Sequence, residues 1–141
     1  MEYVCDVAGG GAWFRIQTEA EAVRESELMR HAVEKHFRRA FEAASEAFDT
    51  DGIPYIEQDI RRATHIRREM PIFLTLRDDE GRSLVTAMLP PPGRRQPEIR
   101  PVIVGQGNSD PYAAYGEAIA TLGARFGMTL DRARCYPYGR S

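Results

Sequence analysis

The sequence has few of the residues that form redox and metal sites. Its two cysteines, Cys5 and Cys135, lie at opposite ends of the chain and form no Cys-x-x-Cys pair. His31 and His36 are five residues apart, about 140° around a helix, so they do not face one metal from one side. We therefore expect no metal site, no cofactor and no catalytic residue, and we predict that Cys135 is a small buried residue rather than a nucleophile.

Long apolar segments and an excess of one charge are also missing. No stretch approaches the roughly 18 apolar residues of a membrane span, and the first residues lack the basic segment and apolar run of a signal peptide. The 19 basic and 21 acidic residues leave a net charge of −2, and Lys35 is the only lysine. We therefore expect a soluble, cytoplasmic protein that makes no membrane contact and does not bind nucleic acid through its overall charge.

The most periodic segment of the sequence runs from residue 18 to residue 48. Thr18 and Glu21 have the spacing of a capping box, which begins a helix. Charged residues, including Glu25 and Glu34, are assigned to its solvated sides. Apolar or small side chains recur every three or four residues, at Ala22, Ser26, Met29, Val33, Phe37, Ala40, Phe41, Ala44 and Phe48. This pattern predicts one long helix over about 19–48.

The remaining periodicities complete an α+β domain. Helical spacing predicts a second helix over about 55–69 and a third over about 110–127, with Asp110 as the N-cap of the third. Apolar and β-branched runs predict central strands over about 71–77, 82–89 and 101–105, with shorter strands at 2–7, 12–16 and 130–136. Residues 90–97 are too rich in proline to pair and predict an exposed loop.

These elements indicate one domain over residues 1–141, in which the helices pack on a mainly antiparallel sheet. The predicted core consists of Val33, Phe37, Phe41, Leu74, Leu76, Val85, Val104, Ile119, Leu122 and Phe126.

Basic side chains on the predicted second helix form one candidate binding surface. Arg61, His65 and Arg68 lie on its outer side, and Arg94 and Arg95 of the proline-rich loop are further candidates for the same surface. Such a group is typical of a phosphate or nucleic-acid site. Acidic residues are interleaved with this group, as on an ordinary solvated helix: Glu57, Asp59 and Glu69. We therefore do not expect nucleic acid as the main partner.

The order of elements from Ala12 onward is strand, two helices, three antiparallel strands, helix and strand. This order resembles the core of the GNAT acyltransferase family, and the resemblance covers most of the chain. In that family acetyl-CoA binds where the fourth strand leads into the third helix, which corresponds here to residues 102–115. The resemblance therefore implies acyl-CoA-dependent acyl transfer, with Gln106, Gly107 and Asn108 as ligand-binding candidates. The family's Arg/Gln-x-x-Gly-x-Gly/Ala loop falls on residues 106–111, which lack both glycines at its offsets.

The favoured functional prediction is a non-catalytic binding or assembly module that acts through protein or small-ligand contacts. An acyltransferase and a phosphate or nucleic-acid binder are the alternatives. A homodimer is also considered, because the third helix carries a stripe of Gly116, Ala120 and Gly123 that permits close packing. Residues 136–139 are either a docking tail or the end of a strand. An enzyme is expected to gather titratable groups in a cleft, and a binding module to expose an apolar patch.

Overall fold

The computed structural model describes residues 1–92 and 100–138. Its sheet has five antiparallel strands whose spatial order is the same as their order in the chain. The strands are β1 (Glu2–Asp6), β2 (Ala12–Arg15), β3 (Ile72–Arg77), β4 (Ser83–Leu89) and β5 (Val102–Gly105). Three helices connect β2 to β3: α1 (Glu19–Met29), α2 (Val33–Glu46) and α3 (Gln58–Glu69), and α4 (Tyr112–Phe126) follows β5. The predicted α+β fold with a mainly antiparallel sheet is confirmed.

The hairpin turns follow from local chemistry. Between β3 and β4, the Asp78 carboxylate accepts from the backbone amides of Glu80 and Arg82, and Gly81 takes a positive φ of 81°. Between β1 and β2, Gly11 also has a positive φ, and a Cβ there would lie 2.6 Å from the carbonyl oxygen of Arg77. These turns set the registers of the two hairpins.

Helices cover both faces of the sheet. Alternate residues of β3 point to opposite sides, so Leu74 and Leu76 belong to one core and Phe73 to the other. The first core packs against Ile119 and Leu122 of α4, and its central Trp13 donates from Nε1 to the carbonyl oxygen of Ala118 at 2.9 Å. The second core joins Phe73 to residues of the three connecting helices: Ala22, Val33, Phe37, Ala44 and Ile66.

The helix expected over residues 19–48 is two helices. Arg30 adopts the left-handed conformation, with φ of 56°, and ends α1, after which α2 starts at Val33. The break does not interrupt the buried stripe, because Met29 and Val33 are four residues apart and both are buried. It allows α1 to pack on β4 while α2 turns toward α3. One carbonyl at the end of α1, that of Leu28, accepts from the Gln106 side chain at 2.8 Å.

Three other expectations need correction. Phe41, predicted to be in the core, is 44% exposed, since it lies beyond Phe37 at the outer edge of the second core. Val104 and Phe126 are only partly buried. The last strand, expected over 130–136, is a 3₁₀ turn at Arg132–Arg134 followed by a single parallel bridge between Val102 and Tyr136.

The proline-rich loop of residues 90–97 is described only as far as Pro92, and Arg94 and Arg95 lie outside the described residues. Within the described chain, no helix is both long enough and apolar enough to span a lipid bilayer.

Candidate functional site

A cleft of about 420 Å³ lies on the α1–α2 side of the sheet, beside β5. Its walls are β4, β5, the corner where α1 meets α2, and the segment at Tyr136 and Pro137. The cleft lies where regular pairing of the sheet ends: beyond β5, the bridged Tyr136 exchanges two backbone hydrogen bonds with Pro101 and Ile103. Its volume is within the usual range for small-molecule sites.

The walls of the cleft are mainly apolar. Phe73 and Met88 line it from β3 and β4, and Val102 and Val104 line it from the edge strand. Val104 is a core residue by sequence pattern, yet its side chain stays partly exposed because it borders this space. Elsewhere on the sheet, helices bury the apolar surface. At the cleft, part of the apolar surface stays uncovered.

A buried carboxylate supports the floor of the cleft. Glu25 of α1 is fully buried, whereas the helical pattern places its charge on a solvated side. Its Oε1 accepts from the Ser83 hydroxyl at 2.7 Å and from Arg77 at 3.1 Å, and its Oε2 accepts from the Thr86 hydroxyl at 2.5 Å. Because a buried charge is costly without partners, these three donors explain how α1 can hold Glu25 against β3 and β4.

His31 extends this network to the cleft. Its Nε2 lies 2.8 Å from the Thr86 hydroxyl oxygen. Thr86 has one hydrogen and donates it to Glu25, so it must accept from His31, and Nε2 must carry a proton. The backbone amide of Val33 donates to the other ring nitrogen, Nδ1, at 3.4 Å. Both nitrogens of a neutral His31 are therefore engaged by the protein.

The electrostatics agree with a neutral ring. Burial lowers the pKa of His31 below its ordinary value, and it outweighs the opposite effect of the nearby Glu25 and Glu34. A neutral imidazole with its lone pair turned to a backbone amide is poorly placed to take a proton from a ligand. The network therefore orients and supports the α1–α2 corner.

The polar side chains at the mouth of the cleft are less enclosed than those of the Glu25–Thr86–His31 network. His36 lies one turn into α2, and its side chain is exposed. Asn108 lines the opposite side and has a positive φ of 62°, a conformation that asparagine tolerates better than most residues. These two side chains, together with the exposed Tyr136, offer hydrogen-bonding groups to a ligand in the cleft.

The sequence-predicted residues of the β5–α4 loop have different surroundings. Asn108 lines the cleft, whereas the Gln106 amide is occupied by the Leu28 carbonyl. Gly107 has a φ of 63° and forms the exposed turn between them. Asp110 accepts from the Tyr112 amide at 2.9 Å and so occupies the beginning of α4 with a carboxylate.

The predicted basic group on α3 does not converge on a common point. Arg61 pairs with Glu57 at 3.1 Å and Arg68 with Glu69 at 3.7 Å. The ring of His65 packs against Phe48, and its Nε2 is buried with no hydrogen-bond partner in the described part of the chain. No hydrogen bond or ion pair among the described residues connects this group to the β5–α4 loop.

The cysteines and acidic residues offer no further site. Cys135 is fully buried, and burial raises the pKa of its thiol, which disfavours the reactive thiolate. Cys5 is partly buried and also unpaired. Within residues 1–92 and 100–138, no three His, Cys, Asp or Glu side chains are grouped so that they could hold a metal ion.

Sequence reasoning missed the Glu25–Thr86–His31 network, although one signal was present. Glu25 stands among Ala22, Ser26 and Met29 at the helical spacing of the buried stripe. A carboxylate in that position is either exposed at the edge of the stripe or buried with partners. Its partners are 52 to 61 residues away in the chain, so the sequence alone did not identify them.

Comparison with protein-family models, with curated proteins and with solved structures found no match for this chain.

Proposed function

We propose that this chain binds a small, mainly apolar ligand in the cleft between β4, β5 and the α1–α2 corner. The observation that carries the proposal is a ligand-sized space of about 420 Å³ whose walls are apolar side chains of the sheet. A ligand there would cover Met88 and Val104, which the connecting helices leave partly exposed. Removing this apolar surface from water would favour binding.

The arrangement of polar groups favours an orientation for the ligand. The apolar part would rest against Phe73, Met88 and Val104, with a hydrogen-bonding end toward His36 and Asn108 at the mouth. His31 and Thr86 would contact the ligand through ring carbon and methyl surfaces, because their polar atoms are already bonded. The support beneath them would hold the cleft open in the absence of ligand, which lowers the entropic cost of binding.

The test is a screen of small apolar compounds by methyl and amide NMR on the intact chain. We expect a subset to shift the resonances of Met88, Val102 and Val104 together. Val104→Trp, which fills the cleft, should abolish these shifts. Val23→Trp is the matched control, because Val23 is an exposed valine of α1 outside the cleft, and it should leave them unchanged. Compounds that bind Val104→Trp as well as the parent chain, or a screen that never shifts the cleft resonances, would contradict the proposal.

Acyl-CoA binding is the second candidate, and the bridge between Val102 and Tyr136 favours it. β5, α4 and Tyr136 form a strand–helix–parallel-bridge unit with a cleft beside it, which extends the resemblance in element order to GNAT acyltransferases. Asp110 weighs against it, because its carboxylate occupies the helix end where pyrophosphate would need free amides. Native mass spectrometry with acetyl-CoA separates the two candidates: an adduct that Val104→Trp removes would support the acyl-CoA ligand, and no adduct would leave the apolar ligand.

A further inference from the structure

A second concave surface, a groove of about 470 Å³, lies between α2 and α3 at the end of β2. It shares no residue with the cleft. Its floor is apolar surface of the second core: Ile16, Phe37, Ile66 and Met70. The exposed ring of Phe41 forms its outer edge. The groove is large enough for a small organic molecule, and its floor favours an apolar one.

Arg15, the last residue of β2, lines one end of the groove and is partly buried. Its Nη2 donates to the carbonyl oxygen of Arg67 at 3.4 Å, which is long for a hydrogen bond of this kind. The other donors of the guanidinium have no partner in residues 1–92 and 100–138. No carboxylate in this part of the chain forms an ion pair with Arg15. A partly buried guanidinium of this kind is suited to bind an anion.

The surroundings of Arg15 carry an excess of positive charge. Arg67 lies beside it and pairs with Glu2 at 2.7 Å, so the nearby carboxylate already has a partner. Burial and the charge of Arg67 lower the pKa of Arg15, and Glu2 opposes them less strongly. Because an arginine stays protonated in proteins, two guanidinium groups share one carboxylate at this end of the groove. A bound anion would reduce the repulsion between the two guanidinium groups.

The other end of the groove carries a negative charge. Asp59 lines it, eight residues before Arg67 on α3, or about 12 Å along the helix axis. Arg62 lies between them, but its guanidinium donates to the carbonyl oxygen of Ser45 at 3.1 Å. An anionic group is therefore attracted to the Arg15 end and repelled from the Asp59 end, with apolar surface between the two.

We propose that this groove binds a medium-chain monocarboxylate, of which octanoate is an example. The carboxylate accepts from the Arg15 guanidinium, whose parallel N–H groups match its two oxygens. The alkyl chain lies along Phe37 and Ile66 toward Phe41, and removal of this apolar surface from water favours binding.

The two features together select this class of ligand. Inorganic phosphate would pair with Arg15 but leave the apolar floor in water, and an uncharged apolar compound would cover the floor but leave the guanidinium unpaired. A compact dianion would also gain nothing from the length of the groove. A single carboxylate on a linear chain satisfies both ends of the site.

A methyl NMR titration of the intact chain at pH 7.5, about three units above the usual pKa of a carboxyl group, tests the proposal. We expect octanoate to shift the resonances of Ile66 and Met70. The matched probe 1-octanol, which has the chain without the charge, should bind about tenfold more weakly, and acetate, which has the charge without the chain, should leave these resonances unchanged.

The charge is tested by Arg15→Met, which keeps much of the apolar stem. It should weaken octanoate binding by about tenfold or more and leave 1-octanol binding unchanged, because it removes the charged donor. Arg24→Met is the matched control: it removes an exposed arginine of α1 outside the groove and should change octanoate affinity by less than about twofold. Octanoate bound to Arg15→Met as tightly as to the parent chain would overturn the proposal.

The location is tested by filling the groove. Ala63 is an exposed residue of α3 that lines it, and Ala63→Trp should abolish the binding of octanoate and 1-octanol alike. Ala43→Trp, at an exposed position of α2 outside the groove, should keep both. Both tryptophan variants should keep the far-UV circular dichroism of the parent chain, since both positions are exposed. Octanoate that still binds Ala63→Trp as tightly as the parent chain would overturn the proposal.

The same titration separates the groove from the cleft. Val104→Trp fills the cleft and should leave octanoate binding in the groove unchanged, because the two sites share no residue. Loss of octanoate binding in Val104→Trp would place the carboxylate in the cleft and overturn this proposal. So would octanoate that leaves the resonances of Ile66 and Met70 unshifted, or 1-octanol that binds as tightly as octanoate.

Discussion

The hydroxyl group of Thr86 lies between a buried carboxylate and an imidazole: it donates to Glu25 at 2.5 Å and accepts from His31 at 2.8 Å. One strand residue therefore determines both the orientation of the α1 carboxylate and the tautomer of a histidine at the cleft. This relationship makes the network testable by single substitutions.

Replacing Thr86 with valine keeps the volume of the side chain but removes both hydrogen bonds. We expect a loss of about 1–3 kcal/mol in the free energy of unfolding, because one oxygen of a fully buried carboxylate loses its donor. Urea unfolding followed by circular dichroism measures it. Thr121→Val is the control: the Thr121 hydroxyl donates only to the Glu117 carbonyl of its own helix, and the loss there should be much smaller. Equal losses for the two variants would contradict the network.

Removing the Glu25 carboxylate should have a larger effect. Glu25→Leu leaves the mostly buried Arg77 guanidinium without its counter-charge, and we expect a loss of about 3–5 kcal/mol in the free energy of unfolding. The double variant Glu25→Leu/Arg77→Met should be more stable than Glu25→Leu, since it leaves no unpaired buried charge. Glu19→Leu, which removes an exposed ion pair with Arg38, should cost only about 0–1 kcal/mol. A double variant less stable than Glu25→Leu would be the contrary result.

His31 predicts a specific dependence of stability on pH. Its pKa in the folded chain is lowered, chiefly by burial, with Glu25 and Glu34 opposing the shift and His36 adding to it. Below about pH 6.5 the unfolded chain therefore binds more protons at this position than the folded chain, and the free energy of unfolding falls as the pH decreases. The contribution is fully present above about pH 6.5 and is lost as the pH falls toward the folded pKa.

The measurement is the difference in unfolding free energy between the parent chain and His31→Gln from pH 7.5 to pH 5, values chosen to bracket about 6.5. The parent chain should lose more stability over this interval. Val23→Gln, at an exposed position of α1 without a titratable side chain, is the control and should keep the slope of the parent chain. Parallel curves for the parent chain and His31→Gln would show that His31 does not titrate differently in the folded state.

Two glycines of α4 should respond to alanine in opposite directions. A Cβ at Gly123 would lie 2.5 Å from the Met128 carbonyl oxygen, so Gly123→Ala should destabilise the chain by about 1–3 kcal/mol through overpacking. A Cβ at Gly116 would meet nothing within 4 Å, and Gly116→Ala should stabilise the helix by about 0.5–1 kcal/mol. Thermal unfolding of the pair tests this, and a gain in stability for Gly123→Ala would disprove the close approach.

Features that depend on neighbouring residues were predictable from the sequence. The capping box of Thr18 and Glu21 forms as expected. Asp110, predicted as the N-cap of the last helix, does accept from the Tyr112 amide, but α4 begins one residue later than predicted and Pro111 takes the N-cap position. The hairpin turn around Gly81 and the three central strands also lie where their residues indicate. Each of these features has a signature in residues a few positions apart, which a pattern can show.

Features that depend on distant partners were not predictable. The end of α1 is completed by Gln106, 78 residues beyond Leu28, and the four-residue step from Met29 to Val33 conceals the break. The sequence makes the Gln106 side chain a ligand-binding candidate. Only the fold shows that its amide donates to the Leu28 carbonyl instead. The cleft likewise arises from a corner and an edge strand that no local pattern connects.

The bond between Gln106 and the Leu28 carbonyl also has a dynamic consequence. It joins the end of α1 to the loop after β5, which flanks the cleft on its other side. A fluctuation that separates the helix end from the sheet must also release the loop. The amide hydrogens of residues 30–32 and of residues 106–108 should therefore exchange with solvent as one cooperative unit, and a ligand bound between them should slow both sets together.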